Sequence, residues 1–148
     1  NLNVNYVNNL GEWANLIDEN DWYIGGVDFS LGTAKTFYDV ESESITYNAK
    51  IGLLYVSDYG YGASPDSWTV SLNDFNIKNN NWLYMGLYEW MITPYSSTQA
   101  NVFRISGLGY AVNSNSTANF AVRPCFYLNY DVEYISGDGS KNNPIRIN

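Results

Sequence analysis

Residues 79–128 decide the fold and read NNNWLYMGLYEWMITPYSSTQANVFRISGLGYAVNSNSTANFAVRPCFYL. Aromatic and β-branched residues, which are typical of strands, alternate there with Asn, Ser, Thr and Gly. Rigid aromatic rings give contact area at low entropic cost, and small polar side chains supply adaptable hydrogen bonds. The stretch therefore predicts a rigid sheet that displays a contact surface, and it favours a binding face over an active site.

The second half of the chain is predicted to be rich in strands. From Trp82 onward, strand-forming runs bounded by turn residues predict strands at 82–84, 89–92, 101–106, 110–113 and 122–128. Residues 107–109, Gly-Leu-Gly, predict the tip of a hairpin. The tail predicts two more strands, at 132–135 and 145–147, around a polar turn. We expect this tail to close the domain by pairing with an earlier strand.

Two helices are predicted in the first half. A capping Asn precedes apolar residues at helical spacing, which predicts an amphipathic helix over 9–20. The apolar residues of this helix are Leu10, Trp13, Leu16 and Ile17. Ser64-Pro65-Asp66 is typical of a helix start and predicts a second helix over roughly 65–74, with Trp68 and Leu72 on its apolar face.

Extended segments are expected between the two helices, at 21–24 and 36–39. The continuous apolar run IGLLYV at 51–56 predicts a central strand that is buried on both faces. Two helices on the N-terminal side and a strand-rich second half predict a single α+β domain with a twisted, mostly antiparallel sheet.

Length and charge restrict the class of protein. At 148 residues and 45% hydrophobic content, the chain is long enough to form one domain with a buried core. It is too short for two such domains to be expected. The formal charge of -8 opposes binding to nucleic acid, because neutralising phosphates needs clustered Lys and Arg. It also opposes docking on an anionic membrane. No apolar run approaches the roughly 20 residues of a spanning helix, so direct membrane insertion of this fragment is not expected.

Groups suited to catalysis or metal binding are scarce. The chain has no histidine, and its one cysteine, Cys125, cannot form an internal disulfide. We expect Cys125 to be a buried structural thiol, and the acids at 18–21 and 41–43 to lie on a solvated surface. Asp138-Gly139-Ser140 lacks the distal Glu of a calcium loop and is interpreted as a turn. We therefore predict no catalytic residue, no metal site and no cofactor.

The candidate binding residues lie in or near the predicted turns of the strand-rich half, where binding residues concentrate. Trp82 and Trp90 are spaced as inward residues on strands. If Trp90 and Ile92 face the core, Glu89 and Met91 face out. The alternation at 101–106 leaves open which side of that strand faces the core. The predicted ligand-binding residues are Met85, Leu87, Tyr88, Tyr95, Ser97, Gln99, Asn101, Tyr110, Asn113, Asn115 and Asn119.

Six segments of the chain resemble a group of bacterial surface and phage-associated domains. They are IGLLYVSDYGYGASPDSW (51–68), NNWLY (80–84), EWMITP (89–94), NVFRIS (101–106), AVRPCFYL (121–128) and SGDGSKNNPIRI (136–147). These domains are similar to the C-type lectin fold in its formylglycine-generating-enzyme-like branch. That branch includes the variable proteins of diversity-generating retroelements, in which adenine-directed mutagenesis rewrites a ligand-binding face.

The resemblance implies a C-type-lectin-like scaffold with a diversified face between Met85 and Asn119. It also implies that residues 121–128 form a closing strand and that Arg123 has a structural role. The calcium-site tripeptides of sugar-binding C-type lectins are absent, so calcium-dependent sugar binding is not implied. The enzyme branch works through a cysteine pair, whereas this chain has one Cys. The resemblance therefore implies the scaffold and a display role, and not catalysis.

The expected function is ligand binding by a secreted or surface-displayed receptor or adhesion module, on a bacterial cell or a phage particle, with a protein or glycan as ligand. Low charge with abundant Asn, Tyr and Ser favours an extracellular location. The start at Asn1, without an initiator Met or signal peptide, suggests excision from a longer chain. The resemblance implies that this longer chain is surface-anchored or pilin-like. The alternative is a structural minor pilin or fibre-tip subunit that contacts neighbouring subunits, and an enzyme is a remote third.

Overall fold

Helices alternate with short strands up to residue 78, and strands joined by loops make up the rest of the α+β fold. The computed structural model describes residues 2–148, apart from the side chain of Phe75. The α-helices are α1 (Val7–Leu10), α2 (Ala34–Glu41) and α3 (Val56–Tyr61). The strands are β1 (Asn20–Tyr23), β2 (Thr46–Ala49), β3 (Glu89–Pro94), β4 (Asn101–Ile105), β5 (Ala111–Asn115), β6 (Tyr134–Ser136) and β7 (Arg146–Ile147).

The strands form three separate antiparallel sheets in the described part of the chain, where one sheet was predicted. β1 pairs with β2, β4 lies between β3 and β5, and β6 pairs with β7. The tail therefore forms its own hairpin, and the expectation that β6 or β7 pairs with an earlier strand is wrong. The α+β class is confirmed, whereas the predicted count of two helices falls one short.

The first helical segment differs from the predicted helix over 9–20. It consists of a π-helical turn (Leu2–Tyr6), α1 and a 3₁₀ stretch (Gly11–Leu16). Gly11 has a φ of +56°, which interrupts the regular α-helical path. Lys50 ends the segment, because its Nζ donates to the carbonyl oxygens of Ala14 and Ile17 at 2.9 and 2.8 Å.

α2 replaces the extended segment that was predicted at 36–39. Thr33 caps the helix, because its Oγ1 accepts a hydrogen bond from the N–H of Thr36 at 3.3 Å. Ala34, Phe37 and Glu41 are buried, which is the spacing of one helical face. The prediction was wrong because the apolar period here is that of a helix and not that of a strand.

The predicted central strand at 51–56 is also wrong. Gly52 exchanges two backbone hydrogen bonds with Cys125, each 3.0 Å long, and Leu54 accepts one from the N–H of Ile92 at 2.9 Å, but these isolated contacts do not form a strand. α3 then begins at Val56, since Asp58 Oδ2 accepts the N–H of Tyr55 at 3.0 Å. A short apolar run fits a buried strand and a buried helix start equally well, so its periodicity misleads.

The predicted helix at 65–74 shortens to one 3₁₀ turn (Pro65–Ser67), followed after a loop by another (Phe75–Lys78). Leu72 is nevertheless buried, and both its backbone N–H and its backbone carbonyl make hydrogen bonds to distant segments. Its N–H donates to Gly32 and its carbonyl accepts from Ala111, both at 2.7 Å. These two tertiary bonds replace the helical bonds that the start signal predicted.

The strands predicted at 82–84 and 122–128 are absent. Residues 82–84 form a turn, and Trp82, which was expected to face inward, is 80% exposed. Residues 121–128 run extended but make only isolated bridges, which join Ala121 to Glu89, Cys125 to Gly52 and Leu128 to Ile17. This closing segment contacts three different parts of the chain in turn, so it cannot pair continuously with any one strand.

The β3–β4–β5 sheet is where the prediction from local pattern succeeds. The strands at 89–92, 101–106 and 110–113 are confirmed within one or two residues at most boundaries, and Gly109 closes the β4–β5 turn with a φ of +91°. In β4, Phe103 and Ile105 face the core. In β3, the prediction is reversed, because Glu89 and Met91 are buried while Trp90 and Ile92 lie on the half-exposed outer face.

The core lies between α2, α3 and the inner face of this sheet. Phe37 of α2 meets Phe103 of β4 edge to face, with ring centroids 5.2 Å apart. Tyr59 of α3 is buried and its hydroxyl donates to the carbonyl of Gly109 at 2.8 Å. Each such buried aromatic side chain contributes about 1.5–3 kcal/mol through removal of apolar surface from water. Among residues 2–148, no helix is long and apolar enough to cross a bilayer.

Candidate functional site

The predicted ligand-binding residues divide between the two ends of the β3–β4–β5 sheet. One end is defined by the register Glu89–Ile105–Ala111 and the other by Asn101–Asn115. At about 3.3 Å per residue, four residues of strand separate these ends by about 13 Å. Met85, Leu87, Tyr88 and Tyr110 lie at the first end. Tyr95, Ser97, Gln99, Asn101, Asn113 and Asn115 lie at or near the second end, and the exposed Asn119 follows the turn after β5.

The first end carries an exposed apolar surface. Its side chains are between 48% and 63% exposed, and we call this surface the apolar end: Met85, Leu87, Tyr88 and Leu108. Two loops meet there, because the hydroxyl of Tyr84 donates to the carbonyl of Gly107 at 2.9 Å. A Cβ at Gly107 would lie 3.1 Å from the ring of Tyr88, so the hairpin tip is closely packed against that ring. Sequence reasoning identified Met85, Leu87 and Tyr88 and missed Leu108.

An ion pair fixes the loop that carries the apolar end. Arg123 donates from Nε and Nη2 to the two carboxylate oxygens of the buried Glu89, at 2.6 and 2.5 Å. The same Nη2 donates to the carbonyl of Leu83 at 2.8 Å. Arg123 therefore ties the closing segment to the start of β3 and to the loop before it, which is a structural role of the kind that the family resemblance implies.

Tyr88 also belongs to an aromatic cluster on the outer face of the sheet. Its ring stacks on Phe120 with centroids 5.5 Å apart, and Phe120 lies 4.8 Å from Trp90. The Arg104 guanidinium carbon lies 4.9 Å from the centre of the Tyr88 ring and 5.0 Å from that of Phe120. Cation–π attraction at such distances holds Tyr88 in place, so this residue is partly structural and partly displayed.

At the second end, most of the predicted polar residues are engaged in local structure. Asn101 Nδ2 donates to Asn113 Oδ1 at 2.9 Å, across the β4–β5 pair. Asn115 Oδ1 accepts from both the N–H and the hydroxyl of Thr117 and so stabilises a turn. The hydroxyl of Ser97 donates to the carbonyl of Asp28 at 2.9 Å.

Tyr95 packs edge to face on Phe103 at 5.7 Å, so its ring extends the core rather than a display surface. Gln99 and Asn119 are exposed. The second end thus offers fewer uncommitted side chains to a ligand than the apolar end does.

A cleft that the sequence did not predict lies between β1, α2, the start of α3 and the segment 125–127. Its volume is about 410 Å³. Its walls are aromatic and comprise Trp22, Tyr23, Tyr38, Tyr55, Phe126 and Tyr127. The rings of Trp22 and Tyr55 stack with centroids 6.4 Å apart, and that of Tyr127 lies 5.4 Å from Trp22.

Three carboxylates, Asp21, Glu41 and Asp58, line the same cleft. Glu41 is buried and accepts hydrogen bonds from the N–H groups of Val56 and Ser57. The hydroxyl of Thr93 donates to the same carboxylate at 2.5 Å. Burial raises the pKa of the Glu41 carboxyl, and burial likewise raises the pKa of Asp58. The prediction that the acid at 41 lies on a solvated surface is wrong, because α2 turns this side chain inward.

Two other titratable groups face the cleft. Burial raises the pKa of Tyr55 to about 12, and its hydroxyl oxygen accepts the N–H of Tyr23 at 2.7 Å. Cys125 is half-buried, and burial together with Asp58 raises the pKa of its thiol. A raised pKa disfavours the thiolate, which is the nucleophilic form. The residues of the cleft come from four separate segments, 21–23, 38–42, 53–58 and 125–127, so no local pattern in the sequence signals it.

Residues 2–148 contain no group of three or more His, Cys, Asp or Glu side chains that could hold a metal ion. Comparison with protein-family models, with curated proteins and with solved structures finds no match to this chain. The fold defines the molecule as an α+β protein. Because the comparisons find no match, its function is inferred from the positions and contacts of its side chains.

Proposed function

We propose that this chain is a ligand-binding module of the receptor or adhesion type, displayed outside a bacterial cell or on a phage particle. The observation that carries the proposal is the apolar end, where four apolar side chains are exposed together on loops held by the Glu89–Arg123 pair. Exposed apolar patches rimmed by polar residues mark interaction sites. Aliphatic Met85, Leu87 and Leu108 favour a protein partner over a glycan.

We further propose that the scaffold is C-type-lectin-like and that the loops of residues 85–119 are diversified. The packing of α2 and α3 on the antiparallel β3–β4–β5 sheet supports this proposal, as does the structural role of Arg123. Sequencing the gene in related isolates tests diversification. We expect adenine-directed replacements at the codons of Met85 and Tyr88, and none at that of the buried Met91, since all three codons contain adenine. Replacements spread evenly over both sets would contradict it.

The binding proposal is tested by probing arrays of surface proteins and glycans with the purified chain. We expect saturable binding to a protein, and the double variant Met85→Ser/Leu87→Ser should weaken it at least about tenfold, as truncation of central apolar anchors does. Leu31→Ser/Ile45→Ser is the matched control, because both side chains are exposed and lie outside the apolar end. Equal loss in the two double variants, or no loss in either, would contradict the proposed site.

A second apolar surface favours the structural-subunit alternative. Trp13, Ile135 and Ile145 are exposed and line one shallow groove beside the β6–β7 hairpin. Two different apolar surfaces on one chain suit head-to-tail contact between subunits, which produces fibres. Sedimentation of the purified chain over a range of concentrations distinguishes the two functions. Self-association that Trp13→Ser/Ile145→Ser abolishes, together with no array binding, would establish the subunit role.

A further inference from the structure

The cleft lined by Trp22, Tyr55 and Asp58 has the chemistry of a cation site. We propose that it binds a small organic ammonium ion, with the charged group held against the aromatic rings and beside the Asp58 carboxylate. None of the residues that line the cleft belongs to the apolar end. The proposal is therefore independent of the function proposed above.

Aromatic rings form a preorganised wall. Trp22 is 5% exposed, and its Nε1 donates to the carbonyl of Ala49 at 2.9 Å, which fixes the plane of the indole. Tyr55 and Tyr127 pack on it at the centroid distances of 6.4 and 5.4 Å. The negative face of an aromatic ring attracts a cation within about 6 Å of its centroid. Trp22 itself is almost inaccessible and supports Tyr127, whose ring is 55% exposed and can meet a ligand.

The charges around the cleft are all negative. Asp21, Glu41 and Asp58 line it, and neither Lys nor Arg does. Asp58 accepts the N–H of Tyr55 with one oxygen, Oδ2, and its Oδ1 makes no hydrogen bond to the residues from 2 to 148. Glu41 accepts only from neutral donors, so no cation among the described residues, 2–148, pairs with its carboxylate. A bound cation would supply the missing positive charge in a partly desolvated site, where Coulombic attraction is stronger than in water.

The donor and acceptor groups favour an ammonium ion over a neutral sugar. A sugar needs many donors and acceptors, whereas the side-chain donors that line the cleft are mainly hydroxyls of Ser and Tyr, with no Asn, Gln, Lys or Arg among them. The volume of about 410 Å³ lies at the small end of ligand pockets, which suits a compact ion.

Calorimetric titration of the full chain with choline tests the proposal. The neutral carbon analogue 3,3-dimethylbutan-1-ol has the shape of choline without its charge, and glucose tests for a sugar site. Nα-acetyl-lysine amide keeps the charged ammonium of a lysine side chain, so it distinguishes a site for a free small ion from a site for a lysine of a protein partner. We expect choline to bind at least about tenfold more tightly than its neutral analogue, because charge supplies most of the attraction. Equal binding of the two, binding of glucose or the lysine derivative alone, or no binding would overturn the proposal.

Two variants locate the site. Asp58→Asn keeps an oxygen that accepts the N–H of Tyr55, and it should weaken choline binding about tenfold because the charge is lost. Tyr127→Leu removes a ring that is 55% exposed and should weaken binding about fivefold. Asp66→Asn is the control, since it removes the same charge from an exposed position outside the cleft. Wild-type affinity in folded Asp58→Asn and Tyr127→Leu would overturn the assignment.

Discussion

Arg123 binds the carboxylate of Glu89 in a bidentate pair, although the two residues are 34 positions apart. The Glu89 side chain is 6% exposed and that of Arg123 is 26% exposed. Removing one partner of a buried pair leaves the other charge uncompensated. This pair therefore matters for the fold far more than an ion pair on the surface.

Arg123→Ala should lower the free energy of unfolding by about 3 kcal/mol, because the charge of Glu89 then remains buried without its partner. Lys35→Ala is the matched control, since the side chains of Lys35 and Asp39 are 71% and 50% exposed. Loss of such an exposed pair should leave the urea midpoint nearly unchanged, because solvent screens the attraction. Urea denaturation of both variants measures the difference, and similar losses would contradict the structural role of Arg123.

Stability should depend on the protonation of Glu41. Burial raises the folded-state pKa of this carboxyl above its ordinary value of 4.5, so the folded chain binds this proton more tightly than the unfolded chain does. The stabilising contribution is complete below the ordinary value and is lost as pH rises through the raised pKa. Glu41→Gln removes this dependence.

Thermal denaturation between about pH 4 and 7 checks this effect. The melting temperature of the wild type, relative to that of Glu41→Gln, should fall as pH rises through this window. Glu43→Gln removes an exposed carboxylate from the adjoining loop and reports the effect of net charge alone. A wild-type melting temperature that rises relative to Glu41→Gln with pH would refute the assigned sign.

Gly52→Ala should displace the Trp22 ring. A Cβ at this position would lie 2.3 Å from a ring carbon of Trp22, so either the ring or the Gly52–Cys125 bridge must move. Such overpacking costs about 1–3 kcal/mol. Near-ultraviolet circular dichroism and urea denaturation detect the change.

Gly86→Asn is the control for Gly52→Ala. A side chain at Gly86 would have no heavy atom within 4 Å, and Asn tolerates its φ of +72° better than other residues do. We expect a loss below about 1 kcal/mol for this variant. A larger loss for Gly86→Asn than for Gly52→Ala would show that the close contact with Trp22 is unimportant.

Cys125 should react slowly with thiol reagents in the folded chain. Burial and the nearby Asp58 raise the pKa of the thiol, so less thiolate is present near neutral pH. Alkylation by iodoacetamide at pH 7.5 should be at least about tenfold slower than in denaturant, which exposes the same thiol. Faster alkylation in the folded chain would instead indicate an activated nucleophile and would revive the enzyme alternative.

Tyr88→Ala should destabilise the chain although nearly half of the side chain is exposed. Its ring stacks on Phe120 and lies beneath Arg104, and loss of both contacts should cost about 1–2 kcal/mol. Tyr130→Ala is the control, because Tyr130 is 92% exposed, and it should change stability by less than about 0.5 kcal/mol. Equal melting temperatures for the two variants would show that Tyr88 is purely a display residue.

Some of the candidate site could be predicted because it depends on local pattern. Met85, Leu87 and Tyr88 stand beside a strand that alternation identifies, and a loop in that position is exposed. The amides of Asn101, Asn113 and Asn115 look equally available in the sequence. In the structure they bond to one another or to their own turn, because small polar side chains in tight turns compete for neighbouring backbone and side-chain groups.

The amino-acid sequence by itself determined the α+β class, the β3–β4–β5 sheet and its hairpin tip, because alternation and glycine act over a few residues. It could not decide that 51–56 ends in a helix, that Glu89 points inward or that Trp22, Glu41, Asp58 and Cys125 meet in one cleft. Those outcomes depend on ion pairing and packing between distant segments. The sum of many weak contacts settles them only when the whole chain is assembled.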